Sequence, residues 1–105
     1  MAYRVIITPD AKRDLRNASN YIRRDSRSAA ERWLKQMHGS IQKLSKHPER
    51  CPMAPEAHTF ERPIRELLCG SGNRGTYRAL YTIVDNIVYV FHVRHGSMLP
   101  LAPEE

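Results

Sequence analysis

Tyr77, Arg78, His92, Arg94 and His95 fall at one end of a predicted β-hairpin, and Arg62 and Arg65 stand at the start of the strand before it. A histidine takes up and releases a proton near neutral pH, and arginines carry fixed charge that binds phosphate bidentately. Phosphoryl chemistry on RNA requires both: a proton-transfer side chain, and cations to offset the charge of a pentacovalent phosphate. The same residues also fit a plain solvated sheet edge, because no nucleophile triad or metal box constrains them. His92-x-x-His95 places its two rings on opposite faces of a strand, which argues against a chelate. Cys51 and Cys69 have no Cys or His at zinc-site spacing, so free thiols are expected, with no metal and no other cofactor.

Two strands must position this cluster. Thr76 to Val84 and Ile87 to His95 are rich in Val, Ile, Tyr and Phe, and Asp85-Asn86 between them tolerates the positive φ of a two-residue turn. A regular ladder from that turn sets Leu80 opposite Phe91, Arg78 opposite Val93 and Thr76 opposite His95. Arg78 and His95 are then diagonal neighbours on one face, within side-chain reach. The other face carries Tyr77, Ala79, Tyr81 and Ile83 with Val88, Val90, His92 and Arg94, and toward the turn it is apolar enough to hold helices. Ile64 to Cys69 is a further strand, joined through the flexible turn Gly70 to Gly75, which includes Arg74.

Upstream, Tyr3 to Thr8 alternates as a short strand. Thr8, Pro9 and Asp10 then suit an N-cap, a first helical position and a negative first turn. Ala11, Leu15, Ala18 and Ile22 form one apolar stripe. Ser28 and Glu31 have capping-box spacing and predict a second helix whose stripe is Ala30, Trp33, Met37, Ile41 and Leu44, ended before Pro48. The two helices, linked by Asp25 to Arg27, make an antiparallel hairpin. Cys51 to Phe60 reads as a surface loop, and Leu99 to Pro103, apolar and proline-broken, as a cap for an open sheet face. The expected fold is α+β, a single domain over residues 1–105 of order β-α-α-β-β-β, with an antiparallel sheet on a helical hairpin.

With 41% hydrophobic residues the chain has an ordinary globular composition and one core at this length. No apolar run approaches a membrane span and no signal core opens the chain, so a cytoplasmic protein without a membrane partner is expected. The net charge is +6, and all of the excess lies between Asp10 and Arg50, which hold eleven basic and five acidic residues. A charge of that size draws polyanions or acidic partners, or simply keeps a small domain soluble.

The order of elements, with "YRVIITPDAKRDL", "IRELL" and "YRALYTIVDNIVYVFHVRHG", resembles the RelE/ParE superfamily of bacterial toxins from toxin-antitoxin modules, over Tyr3 to about Gly96. The resemblance implies a growth-arresting toxin held inactive by a cognate antitoxin, whose acidic tail would wrap the helices and cover the sheet. It leaves two targets open. RelE-like and YoeB-like members cleave mRNA on the ribosome by in-line attack of the 2′-hydroxyl, without a metal, whereas ParE-like members bind and poison DNA gyrase without cleavage of their own. For the nuclease, Arg78 corresponds to the phosphate-stabilising arginine, His95 to the general acid and Glu56, in Ala54-Pro55-Glu56, to a loop glutamate. Arg65 joins that catalytic set, while Arg62, Arg74, Tyr77 and Arg94 are the expected substrate contacts. RelE's lysine pair in the second strand is absent, and Gly96 or Ser97 stands where its last arginine would be. The long helical hairpin is ParE-like.

Overall fold

Thr8 closes the first strand, β1 (Arg4–Ile7), and opens the first helix, α1 (Pro9–Arg23). Its hydroxyl accepts the Ala11 amide, Pro9 fills a position that needs no amide donor, and Asp10 lies in the positive first turn. The structure, a computed structural model, describes residues 2–70 and 75–101. The second helix, α2 (Arg27–Gln42), starts two residues before the place the capping-box spacing predicted. Ser26, not Ser28, is the N-cap, and its hydroxyl accepts the Ala29 amide at 3.1 Å. Both serines suit a cap chemically. The earlier start adds helical backbone bonds and brings Arg27 to 3.6 Å from Glu31 on the next turn.

The predicted stripes are the buried ones. Ala11, Leu15 and Ile22 from α1 pack with Ala30, Trp33, Met37 and Ile41 from α2, with Ala18 partly buried beside them. Leu44, in a 3-10 turn that extends α2, completes the row. Large side chains of this kind each contribute roughly 1.5–3 kcal/mol on burial, which fixes the hairpin to the sheet beneath it. That sheet supplies Ala79, Tyr81, Val88, Val90 and Val93 to the same cluster. The Tyr81 hydroxyl donates to the Pro48 carbonyl at 2.5 Å, tying the segment after α2 to the sheet.

The remaining strands are β2 (Arg65–Cys69), β3 (Tyr77–Val84) and β4 (Ile87–His95), and the sheet order is β1-β4-β3-β2. The sheet is mixed, not antiparallel as expected, because β1 runs parallel to β4 with Arg4 opposite Ile87 and Ile7 opposite Val90. Alternation reports which face of a strand is buried, and carries no information on the direction of a partner that is distant in sequence. β2, β3 and β4 form the expected antiparallel meander. Residues 71–74 of the β2–β3 connection, Arg74 among them, lie outside the described residues.

The hairpin register departs from the regular ladder halfway along. Val84 faces Ile87 and Thr82 faces Tyr89, as predicted, but a bulge between Leu80 and Tyr81 inserts one residue of β4. Beyond it Leu80 faces His92, Ala79 faces Val93, Arg78 faces Arg94 and Tyr77 faces His95. A one-residue shift moves every following side chain to the other face. It brings Val93 under the helices, while the inserted residue Phe91 packs on the Leu80 side in the second, smaller core, where Ala54, Ile64 and Leu80 pack with Ala57, Phe60 and Leu101.

That second core overturns the surface-loop reading of Cys51 to Phe60. Pro55–Thr59 is a short helix, α3, and the Met53–Arg65 bridge lays the preceding residues against β2. Two prolines in this stretch hid a helix that uses Pro55 in its first turn. Of the expected cap over Leu99 to Pro103, Leu101 packs into the same core while Leu99 is exposed, and residues 102–103 lie outside the described residues. Cys51 and Cys69 are free and buried. Among the described residues no helix is long and apolar enough to cross a membrane.

Candidate functional site

α3 exists to bring one carboxylate inward. Pro55 starts the helix, Glu56 sits in its first turn, and the Glu56 side chain is fully buried between α3 and the sheet. Arg78 reaches it from β3 with both terminal nitrogens, Nη2 to Oε1 at 2.5 Å and Nη1 to Oε2 at 3.1 Å. The third donor direction, Nε, goes to Glu66 Oε1 of β2 at 2.7 Å. The Leu101 amide also donates to Glu56, at 2.9 Å, so the same carboxylate clamps the C-terminal segment onto the sheet. Arg78 is 6% exposed. Two carboxylates around one guanidinium leave a buried cluster of net charge −1 whose donors and acceptors are largely paired within the protein.

Titration follows from this geometry. Burial pushes the Glu56 carboxyl up, but the Arg78 hydrogen bonds, the Leu101 amide and its own backbone outweigh burial and hold it below the ordinary glutamate value. Arg78 is held above its usual value, chiefly by the hydrogen bonds to Glu56.

The resemblance paired Arg78 with Glu56 as catalytic groups, and the structure does bring them together, as a buried ion pair whose hydrogen bonds are spent on each other and on Glu66. His95 is elsewhere. The bulge places it with Tyr77 on the helix face, so the expected Arg78–His95 diagonal does not form. The Tyr77 ring lies edge-on between Trp33, at 4.9 Å between centroids, and His95, at 5.0 Å. His95 Nδ1 accepts the Ser97 amide at 3.1 Å and lies 2.6 Å from the Ser97 hydroxyl, which puts the proton of the neutral ring on Nε2. Gly75, at φ 76, borders that nitrogen so closely that an added Cβ would stand 2.9 Å from it.

The other predicted contacts are also committed to structure or scattered. Arg65 donates to the carbonyls of Glu49 and Cys51, at 2.9 and 2.6 Å, and so holds the segment before α3 against β2. Arg94 donates to the Leu99 carbonyl at 3.1 Å, on the face opposite His95. Arg62 is exposed in the turn after α3. Among the described residues no cluster of His, Cys, Asp and Glu could hold a metal.

Sequence reasoning missed two carboxylates. Glu66 stands in β2 opposite Leu80, on the face of Arg78 and diagonally across from it, a placement that needs the β2–β3 register. Asp14 of α1 accepts both the Val93 amide at 2.9 Å and His92 Nδ1 at 3.0 Å, and so pins α1 to β4 beside the bulge. An exposed-looking helix position gave no sign of it.

The comparisons agree with this architecture. The family model described as "ParE toxin of type II toxin-antitoxin system, parDE" matches residues 5–100. Among solved structures, a chain from the "Chromosomal ParDE TA system from P. aeruginosa" is similar at a TM-score of 0.68 and 14% identity, covering 90% of this chain and 96% of that one. At that identity the likeness concerns the fold alone. None of the curated proteins matches.

Proposed function

This chain belongs to the ParE toxin family of type II toxin-antitoxin systems, and we propose that it arrests growth by binding DNA gyrase, without cutting nucleic acid itself. The family implies a cognate antitoxin as partner. The observation that carries the gyrase reading is the closed Arg78–Glu56–Glu66 cluster. To meet a scissile phosphate, Arg78 would have to abandon three charge-assisted hydrogen bonds and leave Glu56 buried without its cation, at a cost of several kcal/mol. Nor do Arg78 and His95 converge. In-line transfer needs the stabilising cation and the general acid on one phosphate, and here the sheet lies between them. A toxin that works by surface contact requires neither, and the same arginine then serves to hold α3, β2 and the chain end together.

The test is gyrase-catalysed supercoiling of relaxed plasmid, with the protein titrated in, beside primer extension on an mRNA in a reconstituted translation reaction. Loss of supercoiling with intact mRNA is the expected pair of results. Ribosome-dependent breaks within codons, with supercoiling unaffected, would replace this reading by the nuclease one.

A further inference from the structure

A groove of about 530 Å³ runs along the C-terminal end of α2, lined by Gly39, Gln42, Lys43, Lys46, His47 and Arg50 together with Ser45. It adjoins a second depression of about 360 Å³ that shares Gly39 and Lys43 and continues toward Gln36. No carboxylate lines either one among the described residues. Glu49, the acid nearest in sequence, turns its carboxylate to the Tyr3 hydroxyl at 2.6 Å. Arg50 Nη1 donates to the carbonyls of Lys46 and His47, at 2.7 and 3.3 Å, which fixes one wall around the left-handed backbone of His47.

Gly39 leaves the wall shared by the two depressions without a side chain. A glycine inside a helix is unfavourable relative to alanine, and it persists where something must approach the backbone closely. Within this chain nothing does: an added Cβ at Gly39 would meet no atom within 4 Å. The helix surface at Gly39 is therefore open to close approach from outside the chain.

We propose that this groove binds the phosphodiester backbone of duplex DNA, with Lys43, Lys46 and Arg50 on the phosphates and Gly39 giving the strand its closest approach. The lining favours a duplex over a single strand, because apart from His47 it has no aromatic ring on which unpaired bases could stack. Lysine-rich walls supply point charges suited to a repeating phosphate and make no base-edge contacts, so binding is independent of sequence. This site is separate from the Arg78 cluster, and rests on the gyrase reading only in that gyrase presents such a duplex.

The experiment is fluorescence anisotropy of the purified full-length protein with a short labelled DNA duplex across a salt series, run beside the supercoiling assay. The variants are Lys43→Glu with Lys46→Glu, Gly39→Glu alone, and, as control, Arg23→Glu with Arg24→Glu at the opposite end of the helical hairpin, which carries the same charge change as the lysine pair. Affinity should fall at least about tenfold in the lysine pair, and the slope of log affinity against log salt should shrink by about 1.8 for two lost phosphate contacts. Gly39→Glu, whose Cβ meets no atom within 4 Å, should keep the melting midpoint and lose binding several-fold; the control should bind nearly as the parent does. An equal loss in the control, tighter binding of single-stranded RNA or of an acidic peptide, or no binding by the parent overturns the groove. A protein that blocks gyrase without binding DNA leaves the gyrase reading standing alone, and one that binds DNA without affecting gyrase leaves only the groove.

Discussion

Replacing Arg78 with methionine separates a structural arginine from a catalytic one. The change keeps most of the side-chain volume and removes three hydrogen bonds to carboxylates, while Glu56 stays fully buried with its cation gone. Breaking a buried pair from one side costs about 3–5 kcal/mol, a large part of the roughly 5–15 kcal/mol that holds a domain of this size together. The melting midpoint should drop by roughly 12 to 40 °C. The pH dependence should also change sign. In the parent, Glu56 is held below its ordinary value of 4.5, so its contribution is complete above that value and is lost as pH falls through the lowered one. In Arg78→Met burial, the largest influence on Glu56, is opposed only by the Leu101 amide and the residue's own backbone and should push the carboxyl up, so the variant should lose stability as pH rises above about 4.5. Urea unfolding followed by circular dichroism at pH 4, 5 and 7 measures both effects. A variant within about 1 kcal/mol of the parent at pH 7, yet without toxicity, would refute the reasoning and return Arg78 to a phosphate.

His95→Gln should remain toxic and keep its fold, since glutamine preserves hydrogen bonding but cannot shuttle a proton at neutral pH; growth arrest on induction is the readout. Ser26→Ala should cost about 1 kcal/mol in urea unfolding, and Ser28→Ala close to nothing, because only the first hydroxyl caps α2. Burial, with Cys51 nearby, pushes the Cys69 thiol up to about 11, so iodoacetamide at pH 8 should leave it unmodified until the protein is unfolded, as mass spectrometry would record.

Much of the scaffold was legible in local pattern. Thr8-Pro9-Asp10 marks a helix start through cap, fixed φ and dipole alone, and the Trp33–Met37–Ile41 stripe predicts its own burial. Direction and register were less accessible. β1 has helices for its chain neighbour, so nothing local decides that it lies parallel to β4. The bulge did leave a trace: the apolar phase of β4 runs through Val88 and Val90 and then jumps to Val93, and a regular ladder would have put His92 under the helices. Reading that phase break would have separated Arg78 from His95 at once. Glu56 is harder, because a glutamate between prolines looks the same in sequence whether solvated or fully buried; only the register that aims Arg78 at it reveals its fate.

The central claim, a toxin that acts on gyrase by binding, is tested most directly by incubating gyrase, plasmid and ATP with the purified protein, then adding detergent and protease. Trapped cleavage intermediates should appear as linear DNA in proportion to the protein added, and Arg65→Lys or His95→Gln proteins that remain folded should behave as the parent does. Absence of linear DNA and of any loss of supercoiling, from a preparation that breaks mRNA within codons on ribosomes, would contradict the account.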